Sequence, residues 1–407
     1  MAVEEPGGRA RFGELLAVGE FRALWLAQIG SVLGDQLARV ALTLLVYGRT
    51  HSPLLAAVAF AASVVPDFVG GVFLAGLADR YPRRRVMIVC DVIRLVLVLA
   101  MTVPHLPIAL LVALLFVITM AGAPFTSARA AIYPEVLRGD LFVLGTAVTL
   151  TTYQCAQVLG LALGGAVVTL AGVKTALIVD AATFAISALI TRLWVRPRPA
   201  ARSADAARPS RGADVRAAIR LVFRDPQLRK PMLLGWLAAF YNAPEGIAAP
   251  LAAGLGAGDV GVGLILASMA FGAALGAIAF GRFASPETRV AWMRPLAVAS
   301  CATLIAFVFQ PDFQLALVIL FAAGLCDCYQ IVAVTLFVRA TPDSQRSQAF
   351  GLAQAGMSLG QGAAMIAAGA AAQRYAPATV VAVAGALGVV AAILISARRL
   401  PGRGPER

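Results

Sequence analysis

Apolar residues recur along this chain in long runs that short polar segments separate. An α-helix rises about 1.5 Å per residue, so roughly 20 apolar residues span the hydrocarbon core of a bilayer. The pattern predicts twelve such helices, and an even number places both ends of the chain on one side of the membrane. The predicted ranges are 21–48, 54–78, 86–103, 108–128, 141–171, 174–195, 231–255, 259–282, 291–309, 313–338, 347–373 and 377–397.

Positively charged residues are concentrated in alternate segments between these helices. They lie before the first helix and after each even-numbered one, whereas the opposite segments contain only Arg49, Lys174 and Arg374. Loops rich in Lys and Arg stay on the cytoplasmic side of a membrane. We therefore predict a multi-pass protein of the bacterial inner membrane, with both termini in the cytoplasm.

The composition excludes an ordinary soluble protein, because 60% of the residues are apolar and only 14% are charged. A soluble domain has about a quarter charged residues. The net charge of +13 does not indicate a nucleic-acid partner, since the basic residues lie mainly on one side of the predicted membrane. The five cysteines lie in apolar segments and the two histidines in short loops, so we expect neither a metal site nor another cofactor.

A basic segment separates two predicted groups of six helices. Its first part, residues 196–211, is rich in Arg, Pro, Ala and Ser, which indicates a flexible linker. Residues 215–224 alternate apolar and basic positions at helical spacing, which fits either an amphipathic helix on the inner leaflet or a helix in a solvated loop. The predicted divisions are a cytoplasmic segment at 1–20, a six-helix bundle at 21–195, the linker at 196–230, a second six-helix bundle at 231–398 and a cytoplasmic tail at 399–407.

The most charged turn lies between the second and third predicted helices, where residues 76–85 read Gly-Leu-Ala-Asp-Arg-Tyr-Pro-Arg-Arg-Arg. It resembles the loop after the second helix in the major facilitator superfamily, with Pro82 where that family has glycine. The resemblance implies an all-α membrane fold of twelve helices in two pseudo-symmetric bundles that alternate access to a cavity. It also implies a gating loop in which Glu135 is a partner for Arg83. The residues of this predicted gate are Gly76, Asp79, Arg80, Arg83, Arg84 and Glu135.

Ionisable residues inside membrane helices are costly, so each is a candidate for function. Asp35 and Arg39 lie about one turn apart in the first helix and share a face, so they can pair. A carboxylate whose proton affinity changes when its arginine moves could couple transport to protons, whereas a structural pair would only lock the helix to a neighbour. Asp67 is a third proton-coupling candidate, because it could share Arg39. It could equally bond backbone groups freed by Pro66.

The substrate cavity is predicted mainly from the second half of the chain. Candidates in the seventh and tenth helices are Tyr241, Asn242, Glu245 and Asp327. Pro244 removes a backbone hydrogen bond, so the seventh helix is expected to bend there. Weaker candidates, for which an interhelical hydrogen bond is the alternative role, are Gln154, Gln157, Gln330 and Gln361. Four buried acids against Arg39 alone predict a negative cavity that favours protons and cationic or neutral lipophilic compounds.

The fifth helix contains Gly160, Gly164 and Gly165, at a spacing that resembles the antiporter signature of the superfamily, with Leu161 in place of its proline. Small residues at this spacing also serve ordinary helix packing. Other short motifs resemble the drug:proton antiporter branch with macrolide-efflux and enterobactin-exporter-like proteins. They are Phe21-Arg22-x-Leu24-Trp25, Gly34-Asp35, Asp91-x-x-Arg94 and Pro134-Glu135-x-x-Arg138.

Three other charged residues within the apolar segments are predicted to be structural. Asp91 and Arg94 lie three residues apart near the basic turn, where they can brace Arg83 to Arg85. Asp180 lies near the outer end of the sixth helix, where it can serve packing or capping.

These patterns together predict a secondary transporter, an exporter of small lipophilic or cationic compounds such as drugs, driven by proton entry. We expect no enzymatic activity, because the buried residues offer no nucleophile beside a base. No nucleotide-binding loop occurs in the sequence, so an ATP motor would have to be another chain. The expected partners are a small-molecule substrate, protons and the lipid bilayer, without nucleic acid, and we expect a monomer. Two alternatives stay open: export or import of a metabolite, siderophore or lipid, and a non-transporting membrane sensor or scaffold.

Overall fold

The computed structural model describes residues 11–74, 77–198, 219–342 and 345–397, and these residues are almost entirely α-helical. No β-strand occurs within those ranges, so the all-α prediction is confirmed for the described chain. Residues 1–10 of the predicted N-terminal segment, residues 199–218 of the linker and the predicted tail at 399–407 lie outside the described residues.

Eight helices form in the described chain before residue 198, and a polar side chain caps the start of one of them. The Ser52 hydroxyl accepts a hydrogen bond from the Leu55 amide at 3.3 Å, so a helix begins at Pro53. The helices are α1 (Phe12–Ala17), α2 (Gly19–Thr50), α3 (Pro53–Ala61), α4 (Val65–Phe73), α5 (Leu77–Arg80), α6 (Arg83–Met101), α7 (Ile108–Val136) and α8 (Asp140–Trp194).

Ten further α-helices lie between residue 226 and the end of the described chain. Asp225 and Asp312 cap two of them, each accepting a backbone N–H at 2.8 Å. The helices are α9 (Pro226–Trp236), α10 (Ala238–Tyr241), α11 (Ala243–Gly246), α12 (Ala248–Gly254), α13 (Gly258–Phe283), α14 (Pro286–Ile305), α15 (Phe313–Cys326), α16 (Tyr329–Ala340), α17 (Arg346–Ala372) and α18 (Pro377–Ala397).

Residues 219–224 form part of one more helix, at the position where the sequence predicts an amphipathic segment. Val222 is fully buried in an apolar cluster with residues of α9, α16 and α17, including Leu228, Phe337 and Ala349. Val222 therefore packs on the protein, whereas Ile219 and Phe223 of the same helix are 42% and 40% exposed. The two roles that the sequence suggests for this segment stay predictions.

Seven helical stretches of the described chain are long and apolar enough to cross a membrane. They are Gly19–Thr50, Ile108–Val136, Asp140–Trp194, Gly258–Phe283, Pro286–Phe309, Phe313–Ala340 and Pro377–Ile395. The 55-residue helix α8 contains a non-helical residue, Gly172 (φ 79°, ψ 163°), close to the predicted boundary between the fifth and sixth spans. The count of twelve spans stays a prediction.

Several predicted spans are interrupted rather than continuous. The predicted helix 54–78 consists of α3, α4 and α5, and the Ser63 hydroxyl at the first break donates to the Phe60 carbonyl at 2.7 Å. The predicted helix 231–255 is divided into α9 to α12, with Pro244 at the start of one short piece. Such breaks free backbone polar groups inside the membrane, which other groups must satisfy.

The fourth predicted helix is longer than its apolar pattern indicates. It was expected to end at residue 128, but α7 continues through Pro134 to Val136, and Leu137 is extended. Arg129 therefore lies inside the helix and not in the loop after it. Ile132 and Tyr133, which lie in the additional turns, are buried. Their burial stabilises the helix beyond Arg129.

The contacts divide the described chain into two compact units. The first contains the residues up to Ala41 and those from Pro66 onward in the first half; the second contains Leu42–Val65 and the residues from 219 onward. Helix α3 belongs to the second unit because it packs closely on α17: a Cβ atom on Gly369 would lie 2.9 Å from the Pro53 carbonyl oxygen. The predicted bundles at 21–195 and 231–398 stay a prediction.

Candidate functional site

A buried ion pair joins two helices of the first unit. Nη2 of Arg94 on α6 donates to both carboxylate oxygens of Asp35 on α2, at 2.5 and 2.7 Å. The Arg94 side chain is only 6% exposed, whereas that of Asp35 is 32% exposed. The Arg94 guanidinium also lies 4.0 Å from the centroid of the Phe184 ring. The pair thus combines an enclosed cation with a partly exposed carboxylate.

Two further acids lie close to this pair and are almost fully enclosed. Asp91 is fully buried and accepts a hydrogen bond from the Ser187 hydroxyl at 2.6 Å. Asp180 is 1% exposed, and both acids act electrostatically on Arg94. Among the described residues, one oxygen of each acid has no hydrogen-bond partner. Arg94 therefore has alternative carboxylates within its surroundings.

A glycine on α2 makes room for Asp180. A Cβ atom at Gly34 would lie 2.5 Å from Oδ1 of Asp180, so any larger residue there would displace the carboxylate. Gly34 directly precedes Asp35 in the sequence. Asp180 of α8 therefore packs against α2 next to the residue that carries the Asp35 carboxylate.

These contacts correct the roles that the sequence suggested. Arg94 pairs with Asp35 and Asp91 bonds Ser187, so their described contacts do not brace Arg83 to Arg85. Asp180 does not cap a helix but lies inside the acidic cluster. Spacing within one helix could show that Asp91 and Arg94 share a face. It could not show that this face meets α2.

The other two proton-coupling candidates lie on α2 itself and on α4. Arg39 follows Asp35 by about one turn on α2. Asp67 lies in α4, and its side chain is outside those that the structure describes. The roles of Arg39 and Asp67 in proton coupling therefore stay predictions.

The glycines of the fifth predicted helix hold α8 against α2 beside the ion pair. A Cβ atom on Gly160 would lie 2.8 Å from Cβ of Gln36, and one on Gly164 would lie 2.8 Å from Cβ of Val40. Gly165 is buried next to them. The close approach of the two helices fixes the part of α2 that carries Asp35.

Replacing Gly164 with Leu is expected to destabilise the protein, because the added side chain has no space beside Val40. Overpacking of this kind costs about 1–3 kcal/mol. Thermal unfolding of the detergent-solubilised protein measures the effect, and Gly281→Leu is the control, since nothing lies within 4 Å of that position. Equal unfolding temperatures for the two variants would contradict the packing described here.

A second polar cluster occupies helix breaks in the second unit. Tyr241, at the end of α10, donates its hydroxyl to Asp327, which lies between α15 and α16. Gln330 donates to the Tyr241 hydroxyl at 2.8 Å and to the Gly235 carbonyl at 2.9 Å. Tyr329 donates to the Leu234 carbonyl at 3.0 Å. The cluster therefore satisfies backbone groups next to the breaks and places a buried acid between two discontinuous helices.

The remaining cavity candidates have less definite surroundings. Asn242 lies at the junction of α10 and α11, and Glu245 is half-buried within α11. The three glutamines Gln154, Gln157 and Gln361 are also half-buried. Their predicted contact with substrate stays a prediction.

The predicted gating loop forms ion pairs at the end of the first unit where α6 begins. Arg83 pairs with Glu135, as the resemblance implied, and also donates to the Ala131 carbonyl at 3.1 Å. Glu135 binds a second guanidinium, since Nε of Arg198 lies 2.9 Å from its Oε2. Arg80 is exposed, the side chain of Asp79 is not among those described, and Gly76 lies outside the described residues.

Glu20, at the start of α2, completes this network. It pairs with Arg198 and accepts the Arg196 amide at 3.1 Å. The hydrogen bond from Arg198 to the Glu20 carboxylate raises the pKa of that guanidinium above its usual value. The network therefore connects the ends of α2, α6, α7 and α8.

An open cavity of about 550 Å³ lies in the first unit, and Arg129, for which the hydropathy pattern predicts a loop position, is one of its lining residues. Arg129 lies 5.8 Å from the centroid of the Phe125 ring. The Tyr133 hydroxyl donates to Gln28 at 3.4 Å and accepts from Thr149 at 3.5 Å. Residues that line the cavity include Gln28, Gly71, Arg129, Tyr133, Thr149 and Tyr153.

Arg94 and Arg129 change the expected charge of the interior. The prediction of a negative cavity counted Arg39 as the single midplane arginine and included Glu245 and Asp327 of the second unit, so it stays a prediction. Among the described side chains of α2, α6, α7 and α8, away from the helix ends, three acids accompany three arginines. These residues are Asp35, Asp91, Asp180, Arg39, Arg94 and Arg129.

Comparison with known proteins gives a consistent result. A family model described as Major Facilitator Superfamily matches residues 24–244 and 246–407. An enterobactin exporter of Citrobacter koseri is 26% identical over 339 residues, covering 82% of this chain and 80% of that protein. The enterobactin exporter of Salmonella typhi is 26% identical over 343 residues, with the same coverage.

Solved transporter structures share the fold. A POT family transporter in complex with 5-aminolevulinic acid superposes with a TM-score of 0.75 at 10% identity, over 96% of this chain and 97% of that one. The nucleoside transporter NupG superposes with a TM-score of 0.68 at 15% identity, over 93% of this chain and 98% of that one. Since the family model covers almost the whole sequence, this chain belongs to the Major Facilitator Superfamily and is a multi-pass membrane transporter of a small molecule rather than an enzyme.

Proposed function

We propose that the protein exports a small lipophilic compound across a bacterial inner membrane in exchange for protons. Twelve spans, with both termini in the cytoplasm, would form two bundles that alternate access. The relatives named enterobactin exporters support the outward direction and favour a metabolite or siderophore as cargo. The alternation of basic segments along the sequence supports the orientation.

The observation that carries the proposal is the ion pair between Asp35 and Arg94. Asp35 is partly exposed, so a proton can reach it, whereas Arg94 is enclosed and stays charged. Protonation of Asp35 removes the charge that compensates Arg94, and an uncompensated buried charge is strongly unfavourable. Arg94 then turns towards Asp91 or Asp180, which already act on it electrostatically. Protonation of Asp35 is thereby coupled to a movement of α6 relative to α2.

The polar cavity around Arg129 supports binding of cargo within the first unit. It offers one guanidinium, hydroxyl groups and aromatic rings, and its volume of about 550 Å³ suits a small molecule. The three arginines that accompany three acids among the described side chains of α2, α6, α7 and α8 do not favour a cation over an acidic or neutral compound. We therefore place a siderophore-like metabolite ahead of the cationic drugs that the sequence suggested.

Transport by the purified wild-type protein in proteoliposomes tests this function. Iron-free enterobactin and the lipophilic cation ethidium serve as two cargo probes, each with and without an imposed pH gradient. We expect the gradient to drive accumulation of enterobactin on the more acidic side, and a protonophore to abolish it. Flux that a protonophore leaves unchanged would contradict proton coupling, and the absence of flux with both probes would favour a sensor or scaffold.

A further inference from the structure

Four arginines line one open groove at the end of the first unit where α6 begins and α8 ends. The groove has a volume of about 590 Å³. Nη2 of Arg84 donates to the Arg192 carbonyl, so this hydrogen bond uses one of the guanidinium nitrogens of Arg84. The lining residues include Pro82, Arg84, Arg85, Ile88, Arg192 and Arg198.

The groove carries an excess of positive charge. Glu20 and Glu135 are the carboxylates that the described ion pairs bring to it, and they bind Arg198 and Arg83. Both acids are therefore already occupied. Arg85 and Arg192 are exposed, and no ion pair of the described residues includes either of them. Their guanidinium groups can bind an anion from outside the protein.

An exposed apolar face continues from the groove along both helices. On α6, Val89 and Val96 are 54% and 58% exposed, and on α8, Leu189 and Leu193 are 54% and 60% exposed. Because the protein spans a membrane, such surfaces contact acyl chains. Trp194, exposed at the same end of α8, is a residue type that favours the interface between hydrocarbon and headgroups. The arginines therefore lie where a lipid headgroup would meet its chains.

We propose that this groove binds the headgroup phosphate of an anionic phospholipid, whose acyl chains lie along the exposed face of α6 and α8. A guanidinium group can donate two parallel hydrogen bonds to phosphate oxygens, and basic grooves at the membrane surface attract anionic lipids. A free phosphate would use the same donors but would gain nothing from the apolar face. This inference depends on membrane insertion and is independent of the proposed cargo and of proton coupling.

Native mass spectrometry of the full-length protein tests the site. The detergent-solubilised protein is incubated with dioleoylphosphatidylglycerol or dioleoylphosphatidylcholine, and the lipid-bound fraction is compared among variants. In Arg85→Gln/Arg192→Gln we expect affinity for phosphatidylglycerol to fall at least tenfold. The control is Arg282→Gln/Arg339→Gln, which removes two exposed arginines of the second unit and is expected to bind as the wild type does.

A second variant decides the question if the glutamine variant does not fold. Arg85→Lys/Arg192→Lys keeps the charges but loses the planar fork, so its affinity for phosphatidylglycerol should be weaker than that of the wild type. Equal binding by the groove and control variants, or equal binding of the two lipids by the wild type, would overturn the proposal. Displacement of phosphatidylglycerol by an equal concentration of inorganic phosphate would also overturn it, since the site would then select a free anion.

Discussion

Replacing Asp35 with Asn is expected to reduce proton-driven transport at least tenfold while cargo exchange without a gradient continues. Asparagine has nearly the shape of the protonated carboxylic acid but cannot release a proton. The variant therefore fixes Arg94 in the arrangement that follows protonation. Enterobactin flux into proteoliposomes, measured with and without a pH gradient, separates the loss of coupling from a loss of transport.

Asp259→Asn is the matched control for this experiment. Asp259 is exposed at the start of α13, so its replacement should leave both kinds of flux unchanged. If Asp35→Asn retained the gradient-driven flux of the wild type, Asp35 would not be the coupling site. If both exchange and driven flux were lost, a folding test by thermal unfolding would show whether the variant still forms the fold.

Replacing Arg94 with Gln should destabilise the protein strongly. Arg94 is the described partner of Asp35 and is surrounded by Asp91 and Asp180, so its loss leaves three acids without this cation. Removing one partner of a buried ion pair costs about 3–5 kcal/mol. Thermal unfolding in detergent measures the loss. Arg94→Lys should recover part of it, because lysine keeps the charge but cannot bind both oxygens of Asp35 in the same way.

A double variant distinguishes an ion pair from two independent side chains. In Asp35→Asn/Arg94→Gln one of the uncompensated acids is also removed, so the variant should be less destabilised than the sum of the two single changes. Arg282→Gln, an exposed arginine near the end of α13, should have little effect. Additive losses for Asp35 and Arg94 would contradict direct coupling between them.

The sequence predicted the family and one ion pair at the basic turn, because both depend on short local motifs. The pairing of Arg83 with Glu135 followed from the resemblance of that turn, and the structure contains it. The glycines of the fifth predicted helix were recognised as packing residues, and Gly160 and Gly164 do lie against α2. The packing partner itself could not be read from their spacing.

The ion pair at the centre of the first unit could not be predicted, because it depends on which helices are neighbours. Helical spacing placed Arg39 on the face of Asp35, whereas the described partner of Asp35 comes from α6. Arg129 was missed for a different reason: its charge suggested a loop, although Ile132 and Tyr133 bury the turns that follow it. Hydropathy alone does not show that a basic residue faces a cavity.

The helix breaks of the second unit illustrate the same limit. Tyr241, Asp327 and Gln330 were each predicted to face a cavity, and Pro244 predicted a bend. Their assembly into one hydrogen-bonded cluster requires interruptions at both 242 and 327–328, and the second of these has no proline to indicate it. Sequence patterns therefore identified the residues but not their arrangement.

Proton release on cargo binding tests the coupling role of Asp35 most directly. Iron-free enterobactin is added to weakly buffered, detergent-solubilised protein, and the protons released are counted for the wild type, Asp35→Asn and Asp259→Asn. The account predicts that the wild type and Asp259→Asn release more protons than Asp35→Asn, by up to one per protein molecule. Equal release by all three proteins, with cargo bound equally well, would contradict it.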